Sequence, residues 1–160
     1  MSKIGKPVIL VLYAGRSLLV NKAMPLVKSI LYVWQLGTMS GPAIVDLLFG
    51  VTVPSGKLPI TFPRELGQIP IYYNKKNTGR PNNTHEYIPY TSSYLDIDPT
   101  PLFPFGYGLS YTTFTYSQFK LSKTSIAYGE TLIASAVVKN EGAYLADEVS
   151  MFFVRDLVGS

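Results

Sequence analysis

The stretch Pro101-Leu-Phe-Pro-Phe-Gly-Tyr-Gly-Leu-Ser-Tyr-Thr-Thr-Phe114 decides how this sequence of 160 residues is organised. Its five aromatic residues make it too apolar for a solvated linker. Its two prolines and two glycines exclude a continuous helix and interrupt any strand. We therefore expect an irregular connector that packs its rings against a hydrophobic surface, with a different class of structure on each side.

The residues before the connector predict the closing part of an α/β layer. The unbroken aliphatic run 8–12 is typical of a strand covered on both faces in a parallel sheet. Apolar residues at helical spacing predict a helix over 22–35, and 41–50 predicts a second helix that Gly50 terminates in the left-handed conformation. Residues 57–62 predict a short strand. Such a layer needs further strands and helices to cover its sheet.

The residues after the connector predict strands. Three runs have the length and composition of strands, namely 114–121, 131–138 and 148–154, with turns at 128–129 and 140–142. Their spacing is typical of a β-sandwich, which needs about seven strands. We therefore expect the chain to stop within this second domain. The expected fold class is α/β plus all-β, the end of an α/β layer joined to an incomplete β-sandwich.

Residues 63–100 lie between these regions and show no sustained period. Unstructured stretches of this length are uncommon in compact domains. Five tyrosines predict that this one is ordered by packing: Tyr72, Tyr73, Tyr87, Tyr90 and Tyr94.

Composition excludes several classes of function. The net charge is +4, but the 14 basic residues are scattered, so no nucleic-acid surface is expected. The absence of cysteine excludes disulfides and thiolate metal sites. No apolar run approaches the ~20 residues of a membrane span. The basic and apolar start resembles a signal peptide but lacks a cleavage pattern, so no signal peptide is expected.

Two glycine-containing patterns resemble nucleotide-binding loops without meeting their requirements. In Gly50–Lys57 the first glycine of a phosphate loop would fall on Val51, and Leu58 follows the lysine where Ser or Thr is required. Gly106-Tyr-Gly108 lacks the third glycine of a dinucleotide-binding loop. No cofactor is predicted.

Few titratable residues suggest chemistry. His85 is the only histidine, and in a polar loop without cysteines it predicts neither a zinc site nor a catalytic triad. Asp96 and Asp98 would point the same way on an extended segment, as a carboxylate pair must, but Pro99 after Asp98 favours a turn. Asn82-Asn83-Thr84 satisfies the glycosylation pattern and carries little weight alone.

Five segments occur in an order that is typical of a known family. They are Gly41–Gly50, Pro54–Pro63, Gly67–Asn74, Asn77–Pro81 and Leu102–Phe114. Together they resemble the C-terminal half of glycoside hydrolase family 3, in particular its bacterial periplasmic β-glucosidases. The sequence departs from the family at Val51-Thr-Val53, where an acidic residue, an aromatic residue and Asn are expected, and at Pro42.

The resemblance implies a protein with an N-terminal (β/α)₈ barrel, an α/β sandwich and a fibronectin type III-like β-sandwich. On that basis residues 1–62 are expected to end the α/β sandwich, 63–113 to form an ordered aromatic and proline-rich connector, and 114–160 to begin a truncated fibronectin type III-like domain. The implied compartment of the parent enzyme is the periplasm.

The resemblance also implies a retaining mechanism that uses an Asp nucleophile from the barrel and a Glu acid/base from the second domain. No residue of this sequence matches either family motif, and Glu65, Glu86 and Glu130 lie in other places. No catalytic, cofactor-binding or metal-binding residue is therefore assigned.

Three hypotheses follow from these observations. The first is the C-terminal fragment of an exo-acting β-glucosidase, which in the full-length parent would act on a β-glucoside or cello-oligosaccharide and which is inactive alone. The second is a carbohydrate-binding module that stacks sugars on its tyrosines. The third is a non-catalytic module that docks onto a chain supplying the barrel, or that associates with itself through exposed strand edges.

Overall fold

The computed structural model describes residues 5–76, 78–82, 84 and 86–156. Its regular elements are few, and strands outnumber helices. They are β1 (Ile9–Leu12), β2 (Ser29–Tyr32), α1 (Ser40–Leu48), β3 (Phe114–Leu121) and β4 (Ala134–Asn140), with 3₁₀ turns at Met24–Leu26 and Leu66–Gln68. The chain divides into two compact units. One comprises Met1–Ala43 and Lys57–Tyr107, and the other comprises Ile44–Gly56 and Gly108–Ser160.

The first unit contains a parallel pair of strands. β1 was expected as a strand and lies beside β2, with Ile9 opposite Ser29 and Leu12 opposite Tyr32. The pair is only partly covered within the described residues, since Ile9 remains 49% exposed. The expectation that both faces of β1 are covered is therefore wrong for the described part of the chain.

The predicted helix over 22–35 is also wrong. Its apolar positions fit helical spacing, but the chain forms only a 3₁₀ turn around Pro25 and then enters β2. A short apolar run such as Ile30-Leu-Tyr-Val33 fits a buried strand as well as a helix by periodicity alone. The backbone pairing with β1 decides in favour of the strand, because Lys28 N donates to Val8 O and Val33 N to Leu12 O.

The helix predicted over 41–50 is confirmed as α1. It ends in a Schellman motif, in which Val51 N donates to Asp46 O at 2.8 Å and Gly50 N donates to Leu47 O at 3.3 Å. Gly50 has the predicted left-handed backbone, with φ +73°. Such a residue is nearly always glycine because a Cβ atom would strain that conformation.

The segment 57–62 does not form the predicted strand. It runs beside the connector instead, through an isolated antiparallel bridge between Phe62 and Phe103. Leu58 N donates to Tyr107 O, and Gly106 N donates to Leu58 O, both at 2.8 Å. Hydrogen bonds at two separate points satisfy some backbone N–H and C=O groups of this segment. The run of consecutive hydrogen bonds is too short to form a strand.

The second unit contains an antiparallel pair of strands. β3 has the bounds predicted for it, whereas β4 begins three residues later and ends two residues later than the predicted 131–138. A bulge lies between Ser117 and Lys120, where Gln118 has φ +53°. No strand is present over 148–154, so that prediction is wrong, and the described residues show one hairpin rather than a sandwich.

Asn140 ties the end of this hairpin together. Its Oδ1 accepts hydrogen bonds from Thr112 Oγ1 at 2.6 Å and Gly142 N at 3.0 Å, and its Nδ2 donates to Tyr144 O at 2.7 Å. The backbone of Gly142 passes so close to Thr112 that an added Cβ would lie 2.1 Å from Thr112 Oγ1. The predicted turn at 140–142 therefore exists, and it requires glycine for steric reasons.

Candidate functional site

A cluster of aromatic rings surrounds the buried Phe62 of the first unit, and the connector supplies part of this cluster. Phe62 is 2% exposed and makes edge contacts with Tyr32, Trp34 and Phe103, at centroid distances of 5.0, 6.1 and 6.3 Å. Phe103 also stacks on Tyr107 at 4.8 Å. Such ring pairs contribute about 0.5–1.5 kcal/mol each beyond burial. Phe103 and Tyr107 therefore hold this part of the connector through ring contacts.

A polar clamp holds two distant parts of the first unit together. It consists of Arg64, Gln68, Asp98 and Thr100. Gln68 is 3% exposed, and its Oε1 accepts from Arg64 N at 2.6 Å while its Nε2 donates to Asp98 O at 2.9 Å. Arg64 Nε donates to Thr100 O at 3.0 Å and its Nη2 lies 3.6 Å from Asp98 Oδ2. The clamp thus closes the base of the loop formed by residues 69–97.

The Glu65-Leu-Gly-Gln68 turn within the clamp is a capping box. The Glu65 side chain accepts from the backbone of Gln68, and the Gln68 side chain accepts from the backbone N–H of Glu65. Sequence reasoning did not identify Gln68 as a central residue. The one available signal was the acidic residue three positions before a glutamine, which is typical of a turn start but says nothing of partners thirty residues away.

An open cavity of about 330 Å³ lies next to this turn. Its walls come from residues 16–19, which follow β1, and from Pro63, Leu66 and Ile69. Asn21 connects the two walls, since its Nδ2 donates to Arg64 O and to Glu65 Oε1, both at 3.1 Å. Most of the lining is apolar, and Arg16 and Ser17 are its polar members.

The Tyr32 hydroxyl fixes the first of these walls by donating a hydrogen bond to the backbone oxygen of Arg16. Burial raises the pKa of the Tyr32 phenol above its ordinary value of 10.0, while the Arg16 charge and a backbone hydrogen bond from Leu18 act in the opposite direction. The phenol therefore stays protonated, and keeps donating, at every physiological pH.

The structure places Asp98 in a turn. Its Oδ1 accepts from Thr100 N at 2.8 Å and from Thr100 Oγ1 at 2.7 Å, and its other oxygen faces Arg64. Asp96 is exposed on the preceding segment. The interpretation of Asp98 as turn chemistry is confirmed, and this carboxylate is already engaged as a structural group.

The remaining residues singled out in the sequence lie apart from one another. The Asn82 side chain accepts from Thr84 N and donates to Glu86 O, so it forms a local turn. Glu130 pairs with Lys123 at 3.1 Å in the other unit. His85 and Asn83 lie outside the described residues.

Gly50 and Gly106, from the two glycine patterns, both have positive φ angles and lie at turns of the backbone. Gly50 terminates α1, and Gly106, with φ +81°, turns the connector so that its N–H reaches Leu58. Within the described ranges no three His, Cys, Asp or Glu side chains are grouped as metal ligands. In the same part of the chain, no helix has the length and apolarity that crossing a membrane requires.

Comparison with known proteins identifies the family. The model for the glycosyl hydrolase family 3 C-terminal domain matches residues 1–111. The periplasmic β-glucosidase of Salmonella typhimurium is 47% identical over 156 residues, which are 98% of this chain and 20% of the relative. A β-xylosidase of Formosa agariphila is 42% identical over 158 residues, 96% of this chain and 20% of that protein.

Solved structures of β-glucosidases resemble this chain as well. The β-glucosidase of Listeria innocua in complex with isofagomine superposes with a TM-score of 0.81 at 41% identity, covering 87% of this chain and 19% of that one. The chain thus spans about a fifth of the length of these relatives. The ordered segments, the family match and the structural similarity agree, and the chain belongs to glycosyl hydrolase family 3.

Proposed function

We propose that this chain is the C-terminal scaffold of a retaining, exo-acting β-glucosidase that hydrolyses terminal non-reducing β-D-glucosyl residues. On its own the chain is inactive and contributes domain interface rather than chemistry. The reaction is inferred from relatives that are named as β-glucosidases. One of these relatives is a periplasmic β-glucosidase, so we propose the periplasm as the compartment of the parent enzyme.

The exposed surface carries this proposal. The chain exposes 12,471 Å². A folded monomer of 17.7 kDa exposes about 7,900 Å², and even two separate domains of half that mass would expose only about 9,600 Å² together. Large apolar side chains account for part of the excess, among them Phe49, Leu95 and Leu145 at 80–97% exposure. Surfaces of this kind mark interfaces with other parts of a protein.

The carboxylates support the absence of independent activity. Retaining glycosidases hold two carboxyl groups about 5–5.5 Å apart, one as nucleophile and one as acid/base. In the described residues Asp98 is bound to Arg64 and Thr100, Glu65 to Asn21, and Glu130 to Lys123. We therefore propose that both catalytic carboxylates come from the barrel and from a loop that precedes β1 in the parent enzyme.

The proposed domain boundaries are those expected from the family. Residues 1–62 end the α/β sandwich, 63–113 form the connector and 114–160 begin a fibronectin type III-like domain. The β3–β4 hairpin supports the last assignment, because antiparallel hairpins are the unit from which such sandwiches are built.

Complementation tests the proposal. The Salmonella relative is cut where its matched segment begins, and hydrolysis of an aryl β-glucoside is followed with and without this chain. We expect no glucose release by the chain alone, and release above that of the truncated relative when the two are mixed. Glucose release by the pure chain would contradict the scaffold role.

The exposed tyrosines favour a second candidate, a carbohydrate-binding module. Tyr90 is 85% exposed and Tyr73 is 59% exposed, and exposed rings can stack on sugars. Titration with cello-oligosaccharides separates the candidates, because a binding module saturates and an uncomplexed scaffold releases no heat. Saturable binding without complementation would favour this candidate.

A further inference from the structure

The sequence contains one pair of adjacent basic residues, Lys75-Lys76. Both lysines are exposed and lie in the loop formed by residues 69–97. In the described part of residues 70–79, one backbone–backbone hydrogen bond is present, from Lys75 N to Tyr72 O, and it is long at 3.4 Å. Exposed loop segments with few backbone hydrogen bonds open locally and are preferred sites of proteolytic cleavage.

Arg16 and Arg80 are exposed basic residues of the same unit, but their backbone is engaged. The backbone oxygen of Arg16 accepts a hydrogen bond from the Tyr32 hydroxyl, and that of Arg80 accepts one from Ser92 N at 2.8 Å. A serine protease polarises the carbonyl oxygen of the bond that it cleaves. These hydrogen bonds must therefore break before cleavage after Arg16 or Arg80 can begin.

The backbone on both sides of the lysine pair is anchored within the first unit. Before the pair, Tyr73 stacks on Phe105 with ring centroids 4.5 Å apart. After the pair, the hydroxyls of Thr78 and Ser92 share a hydrogen bond of 2.6 Å. The two lysines therefore lie in a short exposed tip between two anchored points.

The contacts that hold this part of the first unit join residues before the pair to residues after it. Besides the stack of Tyr73 on Phe105, they include the clamp, in which Gln68 Nε2 donates to Asp98 O, and the bridge between Phe62 and Phe103. A cut within the tip turns these contacts into contacts between two chains, but it removes none of them. The clamp and the aromatic cluster should therefore keep the two pieces together.

We propose that Lys75-Lys76 is a proteolytic processing site for a protease whose specificity pocket takes a lysine, and that the two pieces stay associated after the cut. Water supplies a hydroxyl group to the lysine carbonyl carbon and a hydrogen to the following nitrogen as the C–N bond between them breaks. Processing creates two new chain ends in the loop and leaves the clamp closed. This inference is independent of the proposed scaffold function.

Limited digestion of the whole chain with trypsin, followed by mass spectrometry, tests the site. We expect the first cut within the first unit to follow Lys75 or Lys76. Lys75→Gln/Lys76→Gln should slow cleavage at this site at least about tenfold, because the pocket of trypsin requires a basic side chain. A first cut elsewhere in the first unit would overturn the processing site.

Lys22→Gln/Lys28→Gln is the matched control. It removes the same charge from the same unit, and both of its lysines are exposed. We expect cleavage after Lys75 or Lys76 to proceed at the wild-type rate in this variant. A similar slowing in both double variants would show that trypsin responds to the charge of the unit rather than to this site, and would contradict the proposal.

Gel filtration of the nicked chain tests whether the pieces stay together. We expect them to elute together at the volume of the uncut chain, and separate elution would overturn the association. In the nicked chain, Gln68→Ala should raise the dissociation constant of the pieces at least about tenfold, whereas Leu66→Ala should leave it unchanged. Circular dichroism checks that each uncut variant folds.

Tyr73→Ala provides a second variant, because it removes the stack on Phe105 and leaves the clamp intact. We expect it to raise the dissociation constant of the nicked pieces as well. Pieces that dissociate equally in the wild type, Gln68→Ala and Tyr73→Ala would contradict the claim that these contacts hold the cut chain.

Discussion

Replacing Gln68 with alanine is expected to release the base of the 69–97 loop. The Gln68 side chain is almost completely buried and bonds to both ends of that loop. Alanine removes all of these bonds and leaves a gap that is lined by polar backbone groups. The contacts between residues 98–103 and Phe62 should then open more often.

The structure sets the size of this effect. Two bonds are short, Arg64 N to Gln68 Oε1 at 2.6 Å and Gln68 Nε2 to Asp98 O at 2.9 Å, and two are long, at 3.3 and 3.4 Å. Thr100 O keeps its bond from Arg64 Nε. Leaving two partly buried groups unpaired costs about 1–3 kcal/mol each. A total of about 2–6 kcal/mol raises the equilibrium constant for local opening at least about thirtyfold.

Amide hydrogen exchange measures this opening directly. The reporters are the N–H groups of Phe62, Leu102 and Phe103, which bond across the Phe62–Phe103 bridge. Leu66→Ala is the control in the same turn, because Leu66 is 67% exposed and should change exchange little. Exchange at these amides within about twofold of the wild type in Gln68→Ala would refute the role assigned to the clamp.

Three further predictions concern single residues. Gly142→Ala should destabilise the second unit by about 2 kcal/mol or more, seen as faster exchange in β3 and β4, because the new methyl group collides with Thr112; unchanged exchange would show that the turn can move aside. The pKa of Glu130 should lie below its ordinary value of 4.5 in an NMR titration, because Ala127 N–H and Lys123 favour the carboxylate. The stability that the ionised Glu130 adds is lost as the pH falls through that pKa. Glu130→Gln should remove this pH dependence. The pKa of Tyr32 should lie above 10.0 in an absorbance titration. The contribution of Tyr32 to stability should be lost as the pH rises through that pKa. A pKa of Tyr32 at or below 10.0 would contradict the burial of its phenol.

Elements that depend on local signals could be predicted from the sequence. Gly50 marks the end of α1 because few other residues adopt its left-handed conformation, and the length and composition of residues 114–121 predict β3 at its observed bounds. Asp98 followed by Pro99 indicates a turn, and the structure has one. In each case the physical cause lies within a few residues of the signal.

Features that depend on distant partners could not be predicted. β2 resembles a helix until its backbone pairs with β1, twenty residues earlier. Residues 148–154 have the composition of a strand, but in the described chain they belong to neither of the two strand pairs. Gln68 and Asn21 are ordinary polar residues in the sequence, and only the fold brings them to Asp98 O and Arg64 O. The walls of the cavity come from segments more than forty residues apart for the same reason.

The most direct test of the scaffold function is the activity of a chimeric enzyme. In the Salmonella relative, the matched fifth of the chain is replaced by this whole chain, and hydrolysis of an aryl β-glucoside is measured beside the isolated chain. We expect a chimera with activity within about tenfold of the parent, because the proposed function puts both catalytic carboxylates outside the replaced part. We expect no activity from the isolated chain. A folded chimera that is inactive, or an isolated chain that hydrolyses the glucoside, would contradict the scaffold function.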